Sequence, residues 1–297
     1  MNLMRFGKWY LLFSLLIMLP GIISLAKFGL NLSIDFTGGS VFEYSFTTDS
    51  KPSTEEIVDL FRKNGLDVKK VKYVTDSRIQ LQTNSVDTTT NDLVTNAVLN
   101  VYPNTTQDLF ETVGPAVGSE TQRKSFMAIF VAMLGILVYI AYAFRNIPKP
   151  YKSYKFGVSA LVAMLHDVLV VVGIFSILGV IYGYEVDSLF ITALLTVIGF
   201  SVHDSIVVFD RVRENLLKLS KTSTFENVVN FSLVETLNRS LATSFTVLIV
   251  LFSLFLLGGA SIKVFVLALL VGILSGTYSS IFTACPILVL WEHRNKK

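Results

Sequence analysis

Residues 188–210 read SLFITALLTVIGFSVHDSIVVFD. The stretch is apolar and long enough to cross a bilayer, which takes about 20 residues, yet it carries His203 and Asp204 side by side toward its C-terminal end. A charged side chain near the middle of a membrane helix costs about 2.5–3.5 kcal/mol on insertion scales, so such groups face a bundle interior and mark ion or proton pathways. This one segment predicts a membrane protein that works with a transmembrane ion gradient.

Composition agrees. The 297 residues are 52% hydrophobic and 16% charged, against about 25% charged in an ordinary soluble domain. A formal net charge of +3 is too small to argue for nucleic acid. Cys285 is the single cysteine and lies in an apolar run, so no internal disulfide forms. Six apolar segments, at 8–26, 125–144, 157–181, 188–209, 240–257 and 264–290, predict six transmembrane helices.

Lys and Arg set their sidedness. Arg5 and Lys8, then Arg145, Lys149, Lys152 and Lys155, then Arg211, Arg213, Lys218 and Lys221, then Arg294, Lys296 and Lys297 all fall on one side. The predicted topology has both termini in the cytoplasm. Ser24-Leu25-Ala26 resembles a cleavage triplet, but the apolar run is longer than the usual 7–15 residues of a signal peptide and Lys27 follows at once, so an uncleaved anchor is expected.

The expected domains are helix 1 with its cytoplasmic N-terminus (1–26), an extracytoplasmic α+β module (27–122) and a five-helix transmembrane bundle (123–297). The module reads as strand 41–46, helix 54–64, strands 68–75 and 78–83, helix 89–101 and strand 108–113. Ser53-Thr54-Glu55-Glu56 caps the first helix, Asn64-Gly65 ends it, and Asp76-Ser77 turns between the central strands. The βαββαβ order predicts a ferredoxin-like sandwich.

Asp204 is the leading functional candidate. Desolvation favours the neutral carboxyl, which suits a group that holds and releases a proton; a plain interhelical hydrogen bond is the alternative. Arg239, just before the fifth span, reaches a similar depth if its helix begins near Glu235, and pairing with Asp204 would make a switch. An interfacial arginine reaching for headgroups is the other reading. His166-Asp167 repeats the His-Asp dipeptide in span three, where Asp167 is placed to pair with His203 or approach Asp204. Asp210, Arg211, Arg213 and Glu214 read as a solvated helix end, and 225–237 as an amphipathic helix on the cytoplasmic surface. In span six Ala268, Gly272, Gly276, Ser280 and Ala284 place a small residue at every fourth position, a pattern for close helix packing.

Residues 34–40 (IDFTGGS), 199–211 (GFSVHDSIVVFDR), 238–244 (NRSLATS) and 276–282 (GTYSSIF) together resemble the SecF family of accessory subunits of the bacterial Sec protein-export translocase. The resemblance covers nearly the whole chain in order. It implies a fold like that of resistance-nodulation-division transporters and a role in completing preprotein export with the proton-motive force, or sodium in some members. It also implies partnership with a separate SecD-like chain, a SecYEG-type channel and its ATPase, in the bacterial cytoplasmic membrane with its lipids. Asp204 and Arg239 match the family's proton-carrying fourth-helix Asp and its fifth-helix Arg, and Asp35, Phe36, Gly38 and Gly39 its motif after the first helix. His203 stands where the family usually has Asn, and a neighbouring imidazole is itself titratable.

Two other classes compete with a non-enzymatic, ion-coupled export subunit. An intramembrane aspartyl protease would use Asp167 and Asp204, but its Gly-x-Gly-Asp signature is missing. Half of a small-molecule or lipid exporter would need a larger substrate cavity than one small module offers. Gly38-Gly39 lacks the Gly-Lys-Ser/Thr of a phosphate-binding loop, and neither a metal cluster nor a cofactor motif is present in the sequence.

Overall fold

The computed structural model describes residues 2–47, 52–148, 150–219 and 223–294. Lys149, Lys221, Lys296 and Lys297 of the basic clusters lie outside the described residues. In chain order the elements are α1 (Gly7–Phe28), the single turn α2 (Ile34–Thr37), β1 (Gly39–Ser45), α3 (Thr54–Lys63), β2 (Val68–Thr75), β3 (Arg78–Thr83), α4 (Thr88–Val101), β4 (Thr106–Val113), α5 (Pro115–Ala143), α6 (Ser153–Tyr182), α7 (Ser188–Leu219), α8 (Phe225–Leu257), α9 (Lys263–Ser279), a π-helical turn (Ser280–Ala284) and α10 (Cys285–Arg294). Among the described residues, six segments are long and apolar enough to cross a membrane: α1 with the turn before it, α5, α6, α7, α8, and α9 through α10. The chain divides into two compact units, 32–126 and the remainder.

In the first unit, four antiparallel strands lie in the order β2-β3-β1-β4, as a ferredoxin-like sandwich requires. Phe42, Tyr44 and Phe46 on β1 and its exit, with Ile79 and Leu81 on β3, alternate onto one face. Ile57 and Phe61 of α3 and Val94 and Val98 of α4, each pair four residues apart, close over that face. Ser53 and Glu56 form a reciprocal capping box on α3, and the Asp87 carboxylate accepts the Thr90 N–H at the start of α4.

The second unit is a helix bundle whose interior carries small and polar residues. Gly21 of α1 and Gly173 of α6 meet backbone to backbone, since a Cβ on Gly21 would stand 2.8 Å from Gly173 Cα. Beside them Ser24 and Ser176 share a 2.9 Å hydrogen bond. α5 meets the bundle near its C-terminal end, where Ile140 and Phe144 are buried.

Two expectations need correction. Residues 225–237 do not form a separate surface helix: they are the first turns of α8, a continuous 33-residue helix. Their apolar period is real, but Phe225, Val228, Val229 and Leu233 are buried within the protein and Ser232 accepts a hydrogen bond from Asn215 of α7, so the face covers protein and not lipid. Likewise Asp210, Arg211, Arg213 and Glu214 do not close a helix. α7 runs on to Leu219, and Arg211 bridges to Glu235 of α8 at 2.7 Å.

Candidate functional site

α6, α7 and α9 pack together and bury Asp167 to 1% exposure. Its Oδ2 accepts the hydroxyls of Ser201 on α7 and Ser279 on α9, both at 2.6 Å. Its Oδ1 accepts Ser275 of α9 at 2.6 Å, and His166 Nδ1 lies 3.1 Å from the same atom. A single carboxyl therefore ties three membrane helices. Ser275 and Ser279 are one turn apart, so α9 presents both to one point. The expected contact of Asp167 with His203 is not made: His203 is exposed, because a residue adjacent to a buried Asp204 projects about 100° away.

Asp204 follows Ser201 by three residues and shares its face of α7. It is 3% exposed, and its Oδ2 has no hydrogen-bond partner. Ser205 Oγ on α7 and Ser240 Oγ on α8 are also buried and unpartnered. Burying a carboxyl without compensation is costly. Arg239, the expected partner, is exposed and makes no ion pair among the described residues. Thr192, Thr196, Gly199 and His203 form a small and polar stripe on the outer face of α7, and Glu235, Asn238, Arg239, Ala242, Thr243 and Thr246 a second on α8.

The span-six stripe meets α7. A Cβ at Gly272 would collide with the Val197 side chain, and one at Gly276 would stand 3.3 Å from Ser201 Cβ and 3.6 Å from Asp167 Oδ2. Ser280 is buried at the start of the π turn. After the first helix, Ser33 caps α2 by accepting Asp35 N–H, and Phe36 is buried. Gly38 and Gly39 have φ of 69° and 128°, and a side chain on either would strike backbone, of Pro115 at 2.8 Å or of Thr83 at 2.6 Å. Only glycine fits there.

Sequence reasoning missed three features. The Asp167 clasp was half-seen, its serines being ordinary hydroxyls for membrane helices; the spacing of Ser275 and Ser279 was the available signal. Lys155, read only as a topology marker, is 2% exposed and pairs with Glu292 of α10 at 2.6 Å. The π turn was signalled only by Pro286. Among the described residues no group of three or more His, Cys, Asp or Glu could hold a metal ion.

Residues 93–294 match the model of the protein export membrane protein SecD/SecF C-terminal family, and residues 23–50 that of the SecD/SecF GG motif. The chain belongs to the SecF family. It is 46% identical to the protein translocase subunit SecF of Thermobaculum terrenum, over 99% of this chain and 95% of that protein. The SecF of Anaerolinea thermophila is 42% identical over 96% of this chain and 93% of its own length. Among solved structures, SecDF of Thermus thermophilus, a translocon-associated membrane protein, superposes with a TM-score of 0.85 at 32% identity. The chain covers 39% of that longer protein and is itself covered to 99%. The protease reading is not favoured: the relatives are translocase subunits, and both oxygens of Asp167 are occupied by hydroxyls.

Proposed function

We propose that this chain is the non-enzymatic, ion-responsive SecF half of a SecD–SecF unit that promotes late stages of preprotein export across the bacterial cytoplasmic membrane. One observation carries the reading: a buried carboxyl, Asp204, has an unpartnered oxygen beside two polar stripes that this chain leaves uncovered at membrane-helix positions. Arginine and histidine in contact with lipid tails are costly, so a separate SecD-like chain covers α7 and α8 there and closes a polar compartment around Asp204 and Arg239. The proton-motive force, or a sodium gradient, then acts by loading and unloading Asp204. Moving one charge through 100 mV is worth about 2.3 kcal/mol, enough to bias a conformational change. The channel of the SecYEG type and its ATPase start translocation, and this unit acts on the emerging preprotein.

The four basic clusters support an orientation with both termini in the cytoplasm and 32–126 outside. In a Cys285→Ser background, Asn84→Cys should be labelled from outside in intact cells and Lys152→Cys should not; the reverse would invert the topology. For the chemistry, Asp204→Asn should insert and accumulate normally yet lose gradient-stimulated export. Wild-type export by that variant would rule out the role of Asp204.

A further inference from the structure

His166 and Asp167 are neighbours on α6 and both are buried, at 6% and 1% exposure. Among the described residues no lysine or arginine pairs with Asp167; the base that touches it is His166, whose Nδ1 lies 3.1 Å from Oδ1. The carboxyl takes its other hydrogen bonds from Ser201, Ser275 and Ser279, each at 2.6 Å. Donors on α6, α7 and α9 thus fix both of its oxygens. A carboxylate only accepts hydrogen bonds, so the Nδ1 that faces it carries a proton. That sets the tautomer and leaves Nε2 as the atom at which the ring gains or loses its proton. Nε2 is buried and has no hydrogen-bond partner among the described residues.

Each charge state of this pair leaves one defect. With the ring neutral, a carboxylate is buried without a countercharge, which is costly away from water even when it is hydrogen-bonded. With the ring protonated, the imidazolium balances the carboxylate, but Nε2–H is buried without an acceptor. A contact that only tied helices together would need neither, as the uncharged Ser24–Ser176 bond between α1 and α6 shows. The neighbouring helices offer no substitute for the missing charge or acceptor. Tyr278 of α9 donates its hydroxyl to the carbonyl of Tyr10 on α1 at 2.9 Å, Cys285 of α10 lies against the carbonyl of Ser280, and Lys155, about 16 Å back along α6, is paired with Glu292. Lys8, Lys27 and Lys263 are exposed near the ends of α1 and α9. On α7, His203 is exposed, whereas Asp204 follows Ser201 by one turn and is near enough to Asp167 to interact with it electrostatically.

We infer that His166 Nε2 is a second proton-binding site inside the bundle, oriented and charge-balanced by Asp167 and set one helix turn from the level of Asp204. Asp167 and its three serines are positioning residues for that site. Uptake of one proton takes the His166–Asp167 pair from one negative charge to none, and release restores the charge. During export the proton is exchanged along the path that loads Asp204, so the two sites sense each other's charge. This use in export rests on the ion-coupled reading; the proton site itself does not.

The chain has three histidines, His166, His203 and His293, so the ring can be watched directly. The full chain is made with isotope-labelled histidine and reconstituted in lipid with an unlabelled SecD-like partner; His203→Asn and His293→Gln identify the other two sets of ring-nitrogen resonances. In solid-state spectra of the parent chain His166 Nδ1 should stay protonated throughout, while Nε2 is bare at about pH 8 and takes up a proton as the pH falls to about 5, the interval in which imidazoles change charge. A proton on Nε2 at the alkaline end, or no change at Nε2 across the interval, overturns the inference. His166→Asn supplies the functional arm, because its amide nitrogen stands in for Nδ1 and can donate to Asp167 but does not titrate. It should accumulate and unfold thermally like the parent, yet lose most gradient-stimulated export; parental export with the parental pH profile overturns the site's part in export. Should His166→Asn fail to accumulate, the spectra of the parent chain still decide whether the proton site exists. Asp204→Asn, assayed in parallel, separates the two claims. Lost export there with a His166 ring that does not titrate keeps the ion-coupled reading and defeats this inference, whereas undiminished export with a titrating ring does the reverse.

Discussion

The module and the bundle bury opposite things. In the module, ten apolar side chains from Phe42 to Val98 make the core. In the bundle, Lys155, Asp167, Asp204 and Glu292 are all buried, while Phe130, Phe245 and Phe252 stand exposed on the outside. Water drives the first arrangement. Lipid tails are as apolar as leucine and offer no such force, so helices in a membrane associate through close packing and inward hydrogen bonds. The unpaired atoms follow the same division: among the described residues Thr105 Oγ1 is buried without a partner in the module, against Ser159 Oγ, His166 Nε2, Asp204 Oδ2, Ser205 Oγ and Ser240 Oγ in the bundle. A fold that needed only stability would not concentrate them there, and unsatisfied buried groups call for a functional account.

The sharpest way to break this comparison is to remove one group from each interior. Phe61 is fully buried and meets Phe42 edge to face at 5.2 Å. Phe61→Ala should cost about 3–5 kcal/mol, seen as loss of amide protection across β1, β3 and α3 with the spans unchanged. Retained protection would mean that the apolar core does not hold the module. In the bundle, Asp167→Ala leaves three hydroxyls without their acceptor and should cost about 1–3 kcal/mol for each buried group left unmet, less any that re-pair with helix carbonyls. Thermal unfolding in detergent measures it. Asp204→Ala, by contrast, should leave unfolding nearly unchanged, because Oδ2 has no partner to lose. An equal loss from both variants would erase the distinction between the two carboxyls.

A weaker effect sharpens the functional side. If Arg239 and Asp204 act as one unit inside the compartment completed by a SecD-like chain, Arg239→Gln on top of Asp204→Asn should reduce export no further than the worse single variant, as for residues in one network. Multiplying defects would assign them independent roles.

How far the sequence could be read also differs between the two regions. The module was legible almost to the residue, because alternation on β1 and β3, the i, i+4 pairs on α3 and α4 and the Ser53–Glu56 box are local signals. In the membrane the spans were legible by length and Asp204 by its cost. The contacts of Asp167 were not, since Ser201 and Ser279 lie 34 and 112 residues away and a serine in a membrane helix announces nothing. Nor was the partner of Lys155, because 137 residues separate it from Glu292. The amphipathic period at 225–237 was read rightly and its partner wrongly, because periodicity reports that a face is covered and not what covers it.

The smallest effect lies at the start of α4. Asp87 accepts hydrogen bonds from Thr89 Oγ1, Thr90 Oγ1 and Thr90 N–H, and these hold its carboxyl down at about 2. The ordinary value is 3.8, so the unfolded chain takes up a proton first as pH falls. The stabilisation is therefore complete above that ordinary value and disappears as pH drops through the folded value, between roughly 4 and 2. Asp87 is solvent-exposed at a helix cap, so the loss should be slight and confined to the module: protection of the first turn of α4 should weaken over that interval, while the spans show no change. Asp87→Asn, which keeps an acceptor at the cap but cannot titrate, should remove the pH dependence and preserve the helix at neutral pH. Persistence of the acid-induced fraying in Asp87→Asn would place the titrating group elsewhere in the module.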